Sequence, residues 1–231
     1  MRVTGLSVET PEGARLISSL DCEVDERGLF LLGESGGGKS TILEALARVS
    51  PHRIGWETNE LASVDVALLV QNAEDAVSPF RKLLGQVKDS GVDEQALLES
   101  LQRLGIDAGV CELYPHQLSG GMLKRLLVAT LTLSKASVIL FDEPTSGVDP
   151  SRRWLVWQEI LAIPKPWIVA THDVFAVGRF PEVPVVVVHG GEVVERGTGL
   201  SLLNHSTHPV TTRLLAPCRW KTPSGIDHGG K

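Results

Sequence analysis

Residues 33–41 carry glycines, a lysine and hydroxyl side chains at a spacing that can hold phosphate groups. The segment reads G-x-x-x-x-G-K-S, follows the apolar run at 29–32 and leads into a helix predicted at 42–49. Glycines let backbone N–H groups turn toward phosphate oxygens, and the start of the helix adds its positive dipole end. We therefore expect nucleoside triphosphate binding, with Lys39 on the β- and γ-phosphates and Ser40 on Mg²⁺. The residues expected at the nucleotide are Gly33, Glu34, Ser35, Gly36, Gly37, Gly38, Lys39, Ser40 and Thr41.

Two adjacent carboxylates, Asp142 and Glu143, end the apolar stretch that begins at Val138. Neighbouring side chains on a strand point to opposite sides, so the two acids can take different roles. Ligands of open α/β sheets bind at the carboxyl ends of strands, where Asp142 suits Mg²⁺ and Glu143 suits polarising an attacking water. A solvated acidic turn explains such a pair equally well in isolation. The upstream phosphate loop favours the catalytic interpretation.

Composition and charge describe an ordinary globular chain. Of 231 residues, 42% are hydrophobic and 22% charged, and the net charge of −6 gives no electrostatic reason to expect nucleic acid. Cys22, Cys111 and Cys218 lie too far apart for metal-ligand spacing, so we predict reduced thiols. The start of the sequence does not resemble a signal peptide, and no stretch approaches the roughly 20 apolar residues of a membrane span. Work at a membrane would then require a partner.

Strand and helix patterns alternate along the chain. Strands are predicted at 3–8, 16–24, 64–70, 138–141, 167–170, 185–188 and 192–195, and helices at 93–104, 120–134 and 151–163. This alternation predicts an α/β fold with a parallel sheet. We expect a core built from 1–71 and 135–216, an inserted helical lobe at about 72–134, and a loose tail at 217–231.

Five motifs, in this order, resemble those of the ATP-binding subunits of ABC transporters. Besides the phosphate loop they are Gln71 after a strand, the segment Leu118-Ser119-Gly120-Gly121-Met122, the stretch from Asp142 to Asp149, and Thr171-His172-Asp173. The motifs span almost the whole chain. The resemblance implies a single ABC ATPase domain over 1–231, in which a P-loop NTPase core with a mainly parallel sheet carries an N-terminal antiparallel β-subdomain and an inserted helical subdomain.

The resemblance also implies roles for individual residues. Ser119, Gly120 and Gly121 start a predicted helix, whose free N–H groups can bind phosphate, although an isolated Ser-Gly-Gly is more often a plain helix cap. In the family this segment faces the nucleotide held by the other subunit of a dimer, and Asp149 would cross that interface.

The resemblance also implies which residues act on ATP and its Mg²⁺. Glu143 would orient or activate water and His172 would contact the γ-phosphate. Gln71 would contact Mg²⁺ or the water and join the core to the helical lobe. The metal ligands implied are Ser40, Gln71 and Asp142.

Finer matches concern the subfamily. Residues 71–79, 114–125, 191–197 and 208–215 resemble importers of oligopeptides, dipeptides and nickel. The resemblance implies a peripheral protein at the cytoplasmic face of the inner membrane. It would hydrolyse ATP to power the import of peptides, nickel or a metal chelate. Its implied partners are a second ATPase subunit, identical or different, transmembrane permease subunits and, indirectly, an extracytoplasmic solute-binding protein.

Two alternative functions fit parts of the sequence, and one feature departs from the pattern of the family. An ABC-type ATPase of a soluble complex, such as carbon–phosphorus lyase machinery, is the main alternative. A small-molecule kinase is the other, but a kinase has no use for the segment at 118–122 or for His172. The family commonly stacks an aromatic residue on adenine, and residues 7–10 offer none. We therefore expect loose adenine selectivity or aliphatic packing against the base.

Overall fold

The computed structural model describes residues 1–219 and alternates strands with helices. The strands are Arg2–Glu9 (β1), Arg15–Glu23 (β2), Leu29–Leu32 (β3), Arg53–Gly55 (β4), Thr58–Asn59 (β5), Val66–Leu69 (β6), Val138–Asp142 (β7), Trp167–Thr171 (β8), Pro184–His189 (β9) and Glu192–Thr198 (β10). The α-helices are Lys39–Leu46 (α1), Leu83–Asp89 (α2), Glu94–Arg103 (α3), Gly120–Thr132 (α4), Arg153–Leu161 (α5), Val174–Arg179 (α6), Gly199–His205 (α7) and Pro209–Arg219 (α8).

The strands form one sheet in the order β4-β1-β2-β10-β9-β3-β8-β7-β6, and β5 pairs with β1. The five strands from β9 to β6 run parallel to one another, because helical crossovers return the chain to the same edge. Strand β1 is antiparallel to β2, β4 and β5, and β10 is antiparallel to β9. This architecture confirms the predicted α/β fold with a mainly parallel sheet and an N-terminal antiparallel part.

Two apolar cores cover the two faces of the sheet. Phe30 and Leu32 of β3 belong to the core under α4 and α5, whereas Leu29 and Leu31 belong to the core under α1. All four side chains are buried, as expected of a central parallel strand covered on both faces. Burying a side chain such as Phe30 contributes about 1.5–3 kcal/mol each, so the strand that precedes the phosphate loop is held firmly.

Every element between β6 and β7 is helical. Besides α2, α3 and α4, short 3₁₀ helices lie at Ala73–Ala76, Ala108–Glu112 and Pro115–Gln117. Helix α3 begins after Asp93, whose carboxylate accepts a hydrogen bond from the Ala96 N–H at 2.9 Å. Glu159 of α5 ties α3 to the rest of the molecule, because it accepts two hydrogen bonds from Arg103 and one from Ser100.

Several boundaries differ from the sequence prediction. The helix expected from residue 151 begins as a 3₁₀ turn at Pro150–Arg152, and α5 proper starts at Arg153. Helix α8 continues through Pro217 to Arg219, so the first residues of the expected tail are helical. The remaining part of that predicted tail, 220–231, lies outside the described residues. Within residues 1–219, no helix combines the length and the apolar character needed to cross a membrane.

Candidate functional site

The phosphate loop (residues 33–41) connects the buried strand β3 to α1. Its conformation depends on glycine, since Gly36 and Gly38 adopt φ values of 77° and 101° in the left-handed region. Gly38 precedes α1, and no side chain caps the helix there. The first N–H groups of α1 are thus available to an anion placed over the loop.

Lys39 lies at the centre of the loop and is buried. Its Nζ donates to the backbone carbonyls of Gly33 and Glu34, each at 2.9 Å. Burial lowers the pKa of Lys39, although the carboxylates of Glu143 and Asp142 oppose that shift. A flexible ammonium with only carbonyl partners can turn toward phosphate oxygens without breaking an ion pair.

Three residues of the loop support it rather than face the cavity above it. A Cβ on Gly33 would come within 2.3 Å of the Val188 carbonyl oxygen, and one on Gly37 within 3.3 Å. The side chain of Glu34 points to Arg213 of α8, with Oε1 and Nη2 2.7 Å apart. These three remain predicted nucleotide contacts through their backbone groups alone.

Asp142 ends β7 on the face of the sheet that α1 covers, next to Ser40. It is buried, and its Oδ1 has no hydrogen-bond partner among the described residues. Burial raises the pKa of Asp142, while a hydrogen bond with Ser40 lowers it, and the net direction is upward. A hydroxyl beside a carboxylate with a free oxygen is a donor set that fits Mg²⁺, which is commonly held by one or two carboxylates together with substrate phosphates.

Glu143 follows Asp142 in a sharp turn just after the end of β7. Its backbone adopts φ 49°, a left-handed conformation that costs a non-glycine residue roughly 1 kcal/mol. Its Oε1 lies 2.8 Å from Nδ1 of His172, and Thr171 Oγ1 donates to its Oε2 at 3.4 Å. The structure therefore brings Glu143 and His172 together, with the carboxylate fixed by two neighbours.

Lys124 is a residue that the sequence interpretation missed. It lies on α4, is buried, and its Nζ donates to the backbone carbonyl of Gln71 and, at 3.3 Å, to that of Glu143. Burial lowers the pKa of Lys124, whereas the charges of Asp142 and Glu143 oppose the shift. The lysine thus joins α4 to the chain segments that carry two predicted catalytic residues.

These groups surround one cavity of about 310 Å³, which we call the nucleotide cavity. Its wall includes Gln71 and Glu143 beside the phosphate loop. The loop residues in the wall are Ser35, Gly36, Gly38, Lys39, Ser40 and Thr41. The volume matches the lower range of small-molecule sites in proteins. The groups predicted to bind phosphate and the group predicted to activate water therefore line the same cavity.

Ser119, Gly120, Gly121 and Asp149 line a different cavity of about 610 Å³, the signature cavity. It has no wall residue in common with the nucleotide cavity. Ser119 caps α4 by accepting from the Met122 N–H at 3.2 Å. A Cβ on Gly121 would come within 2.6 Å of the Gly147 carbonyl oxygen, so a glycine is needed where these two segments meet. One chain thus does not bring its own signature segment (118–122) to its own phosphate loop.

A phosphate loop after a central parallel strand, with two carboxylates at the end of β7, defines the P-loop nucleoside triphosphatases. Residues 18–146 match the ABC transporter family, and since this is more than half of the chain, the protein belongs to that family. Its ATP-binding subunits bind nucleotide and hydrolyse ATP.

Relatives and solved structures agree with this assignment. The metal-staphylopine import ATP-binding protein CntD of Staphylococcus aureus is 28% identical over 220 residues, covering 81% of each chain. The dipeptide transport ATP-binding protein DppD of Haemophilus influenzae is 28% identical, covering 81% of this chain and 66% of that one. The fold matches a solved ATP-binding subunit of an ABC transporter with a TM-score of 0.73 at 19% identity, covering 94% of this chain and 98% of that one.

Proposed function

We propose that this subunit hydrolyses ATP to power import of peptides, nickel or a metal chelate. The single observation that carries ATP hydrolysis is the nucleotide cavity, where Lys39 and Ser40 of the phosphate loop face Glu143. The import role and the class of solute are supported by the relatives that transport dipeptide and metal-staphylopine.

In this proposal Glu143 orients and activates the water that attacks the γ-phosphate. Its hydrogen-bonded contact with His172 holds the carboxylate, and both lie at the end of the parallel strands. Lys39 stabilises the charge that develops on the transferred phosphoryl group, and Gln71, which lines the same cavity, positions the water. Gln71 is also proposed to contact Mg²⁺. Ser40 and Asp142 would hold Mg²⁺, which neutralises phosphate charge when bound.

A second subunit, identical or different, would complete the site. The signature cavity of each chain, with Ser119, Gly120, Gly121 and Asp149, would cover the nucleotide on the phosphate loop of the other. Separate cavities within one chain support this arrangement, because binding between two subunits is the way to bring both sets of groups onto one ATP. Closure of the pair would then depend on ATP.

Coupling to transport would pass through the helices between β6 and β7, the proposed helical subdomain at about 72–134. Lys124 connects these helices to the ends of β6 and β7, so movement at the site reaches α4 directly. The subunit would be a peripheral protein at the cytoplasmic face of the membrane, bound to transmembrane permease subunits. An extracytoplasmic solute-binding protein would deliver the solute to those permease subunits.

The test is to purify the protein with the partners it retains and measure ATP hydrolysis by wild type and Glu143→Gln. We expect hydrolysis to fall by at least about 100-fold in the variant while ATP binding persists, because the glutamine keeps shape but loses the base. Glu26→Gln, an exposed acid outside the cavity, is the matched control and should hydrolyse as wild type does.

The hydrolysis rate of Glu143→Gln and the identity of the retained partners together decide between the proposed functions. Hydrolysis that survives Glu143→Gln would remove Glu143 from its catalytic role. Hydrolysis that depends on Glu143, in a protein that retains permeases, supports the importer. The same dependence with soluble enzymes as partners would transfer the proposal to an ATPase of a soluble complex.

A further inference from the structure

Lys124 of α4 is a buried cation to which the proposed hydrolysis chemistry gives no role. The residue is 3% exposed, and within residues 1–219 its Nζ donates only to the backbone carbonyls of Gln71 and, at 3.3 Å, Glu143. A buried lysine is normally paired with an acid, because taking an ammonium out of water is costly. Lys124 instead directs its N–H groups to two carbonyls, an arrangement that fixes the position of the backbone.

The two carbonyls lie just beyond the point where β6 and β7 stop pairing. Leu69 of β6 is in register with Phe141 of β7, and these are the last paired residues of the two strands. Gln71 and Glu143 each follow two residues later, so they continue the same register where the sheet no longer joins the chains. The Lys124 ammonium bridges them there. It therefore holds together two segments that the sheet has released.

Glu143 needs such support because its backbone is strained. Its φ of 49° lies in the left-handed region, which a non-glycine residue keeps only where its surroundings over-determine the conformation. Its N–H donates to the Ala170 carbonyl at 2.9 Å, and its own carbonyl accepts from Lys124. The peptide groups on both sides of the Glu143 Cα are thus fixed, one by β8 and the other by α4.

We propose that Lys124 is a positioning residue for ATP hydrolysis, which holds Glu143 in its strained conformation and at a fixed distance from Gln71. Both of these residues line the nucleotide cavity and Lys124 does not, so the lysine acts on the reaction through them. This inference rests on the proposed function, which assigns the activation of water to Glu143. A misplacement of about 1 Å costs a catalytic group about 100-fold in rate, whereas ATP binding on the phosphate loop does not depend on it.

The experiment measures kcat and KM for ATP hydrolysis, and equilibrium binding of ATP, in the protein with the partners it retains. Lys124→Met keeps the apolar stem of the side chain but donates no hydrogen bond. Its kcat should fall by about 10- to 100-fold, while its dissociation constant for ATP stays within about twofold of wild type. Lys124→Gln retains two N–H donors without the charge, so its kcat should stay within about threefold of wild type.

Lys165→Met is the matched control. The Nζ of Lys165 also donates to two backbone carbonyls, those of Ser134 at 2.6 Å and Ala136 at 3.0 Å. Lys165 is not part of the wall of the nucleotide cavity. Its substitution removes the same kind of contact elsewhere in the fold and should leave kcat unchanged.

A double-mutant cycle tests whether Lys124 acts through Glu143. The chain that carries both Lys124→Met and Glu143→Gln should hydrolyse ATP within about threefold of the rate of Glu143→Gln alone, because the positioned group is already lost. A lysine that only supports the fold would slow Glu143→Gln by the same factor as it slows wild type. That result would overturn the proposal.

Three further results would overturn the positioning role alone. The first is a wild-type kcat in Lys124→Met. The second is loss of ATP binding together with hydrolysis in that variant, which would make the lysine structural. The third is a Lys124→Gln variant as slow as Lys124→Met, because the charge would then act in place of the two hydrogen bonds. If Glu143→Gln itself hydrolyses ATP as wild type does, the proposed function fails, and this inference fails with it.

Discussion

At the scale of one residue, the buried carboxylate of Asp142 lowers the stability of the folded protein. The carboxylate is buried with one unpaired oxygen, and its raised pKa means that the folded protein disfavours the charge. Such a cost is typical of groups kept for function rather than for folding.

Asp142→Asn should therefore stabilise the nucleotide-free protein while removing the proposed Mg²⁺ ligand. We expect a gain of about 1 kcal/mol, which for a chain of this length raises the midpoint of thermal unfolding by roughly 2–4 °C. The additional stabilisation that MgATP gives over ATP with a chelator should disappear. Thermal unfolding with and without Mg²⁺ measures both effects.

The control for this variant is Asp65→Asn, which neutralises an exposed acid before β6. It should leave both the unfolding midpoint and the Mg²⁺ effect unchanged. A lower midpoint for Asp142→Asn, or a Mg²⁺ effect as large as in wild type, would contradict the assignment of Asp142.

Site residues differed in how far the sequence could predict them. Lys39 stands in a local pattern whose spacing indicates its chemistry, and Asp142 takes its interpretation from that upstream pattern. Lys124 and Arg15, which lines the nucleotide cavity, stand in no such pattern, because a lysine on a helix or an arginine beside a turn is usually solvated. Packing of α4 under β6 and β7 buries Lys124, and the turn at Gly191 brings β2 to the cavity. Neither contact has a signal in the nearby sequence.

At the scale of elements, Glu159 joins α5 of the core to α3 of the helical segment. Its side chain is 7% exposed and receives Arg103 Nε and Nη2 at 2.9 and 2.7 Å, and Ser100 Oγ at 2.6 Å. Glu159→Gln should lower the free energy of unfolding by about 1 kcal/mol, because it removes the buried charge that accepts these hydrogen bonds, while Arg103 itself stays 56% exposed and solvent screens its part of the pair. Chemical denaturation measures this loss, and Glu99→Gln on the exposed face of α3 is the control.

The ion pair between Arg103 and Glu159 predicts how the free energy of unfolding depends on pH. Burial raises the pKa of Glu159, but hydrogen bonds from Arg103 and Ser100 outweigh it and leave the pKa below its usual value of 4.5. A carboxyl with a depressed pKa contributes stability above its unfolded pKa and loses it as pH falls through the folded one. The difference between wild type and Glu159→Gln should thus be full at pH 7 and shrink below about pH 4.5. A difference that stays constant down to pH 3 would contradict this account.

Elements were predictable where their pattern is local and long. The apolar strands β3, β7 and β8 and the helices α3 and α4 appear at the expected places. Strands β4 and β5 have only three and two residues, and they form because they pair with β1. Segments this short show no hydrophobic periodicity, so the sequence does not predict them. The contact between Glu34 and Arg213 joins residues 179 positions apart and ties α8 to the phosphate loop. Sequence alone has no way to place that helix.

At the scale of the whole molecule, the phosphate loop and the signature segment lie in two separate cavities. Lys39 lies in the nucleotide cavity and Ser119 in the signature cavity, and the two cavities have no wall residue in common. Sequence order places both motifs in one chain without saying whether they meet. The structure keeps them apart, which favours completion of the site by a second subunit.

The most direct test is the dissociation constant for ATP of Ser119→Arg, measured beside wild type and Lys39→Ala at a protein concentration low enough to keep the chain monomeric. We predict that Ser119→Arg binds ATP as wild type does, because in the proposed arrangement Ser119 contacts only the nucleotide of a partner subunit. Lys39→Ala should bind about 10- to 100-fold more weakly, as expected for loss of a charge-assisted contact. A loss of affinity in Ser119→Arg as large as that in Lys39→Ala would contradict a site divided between two subunits.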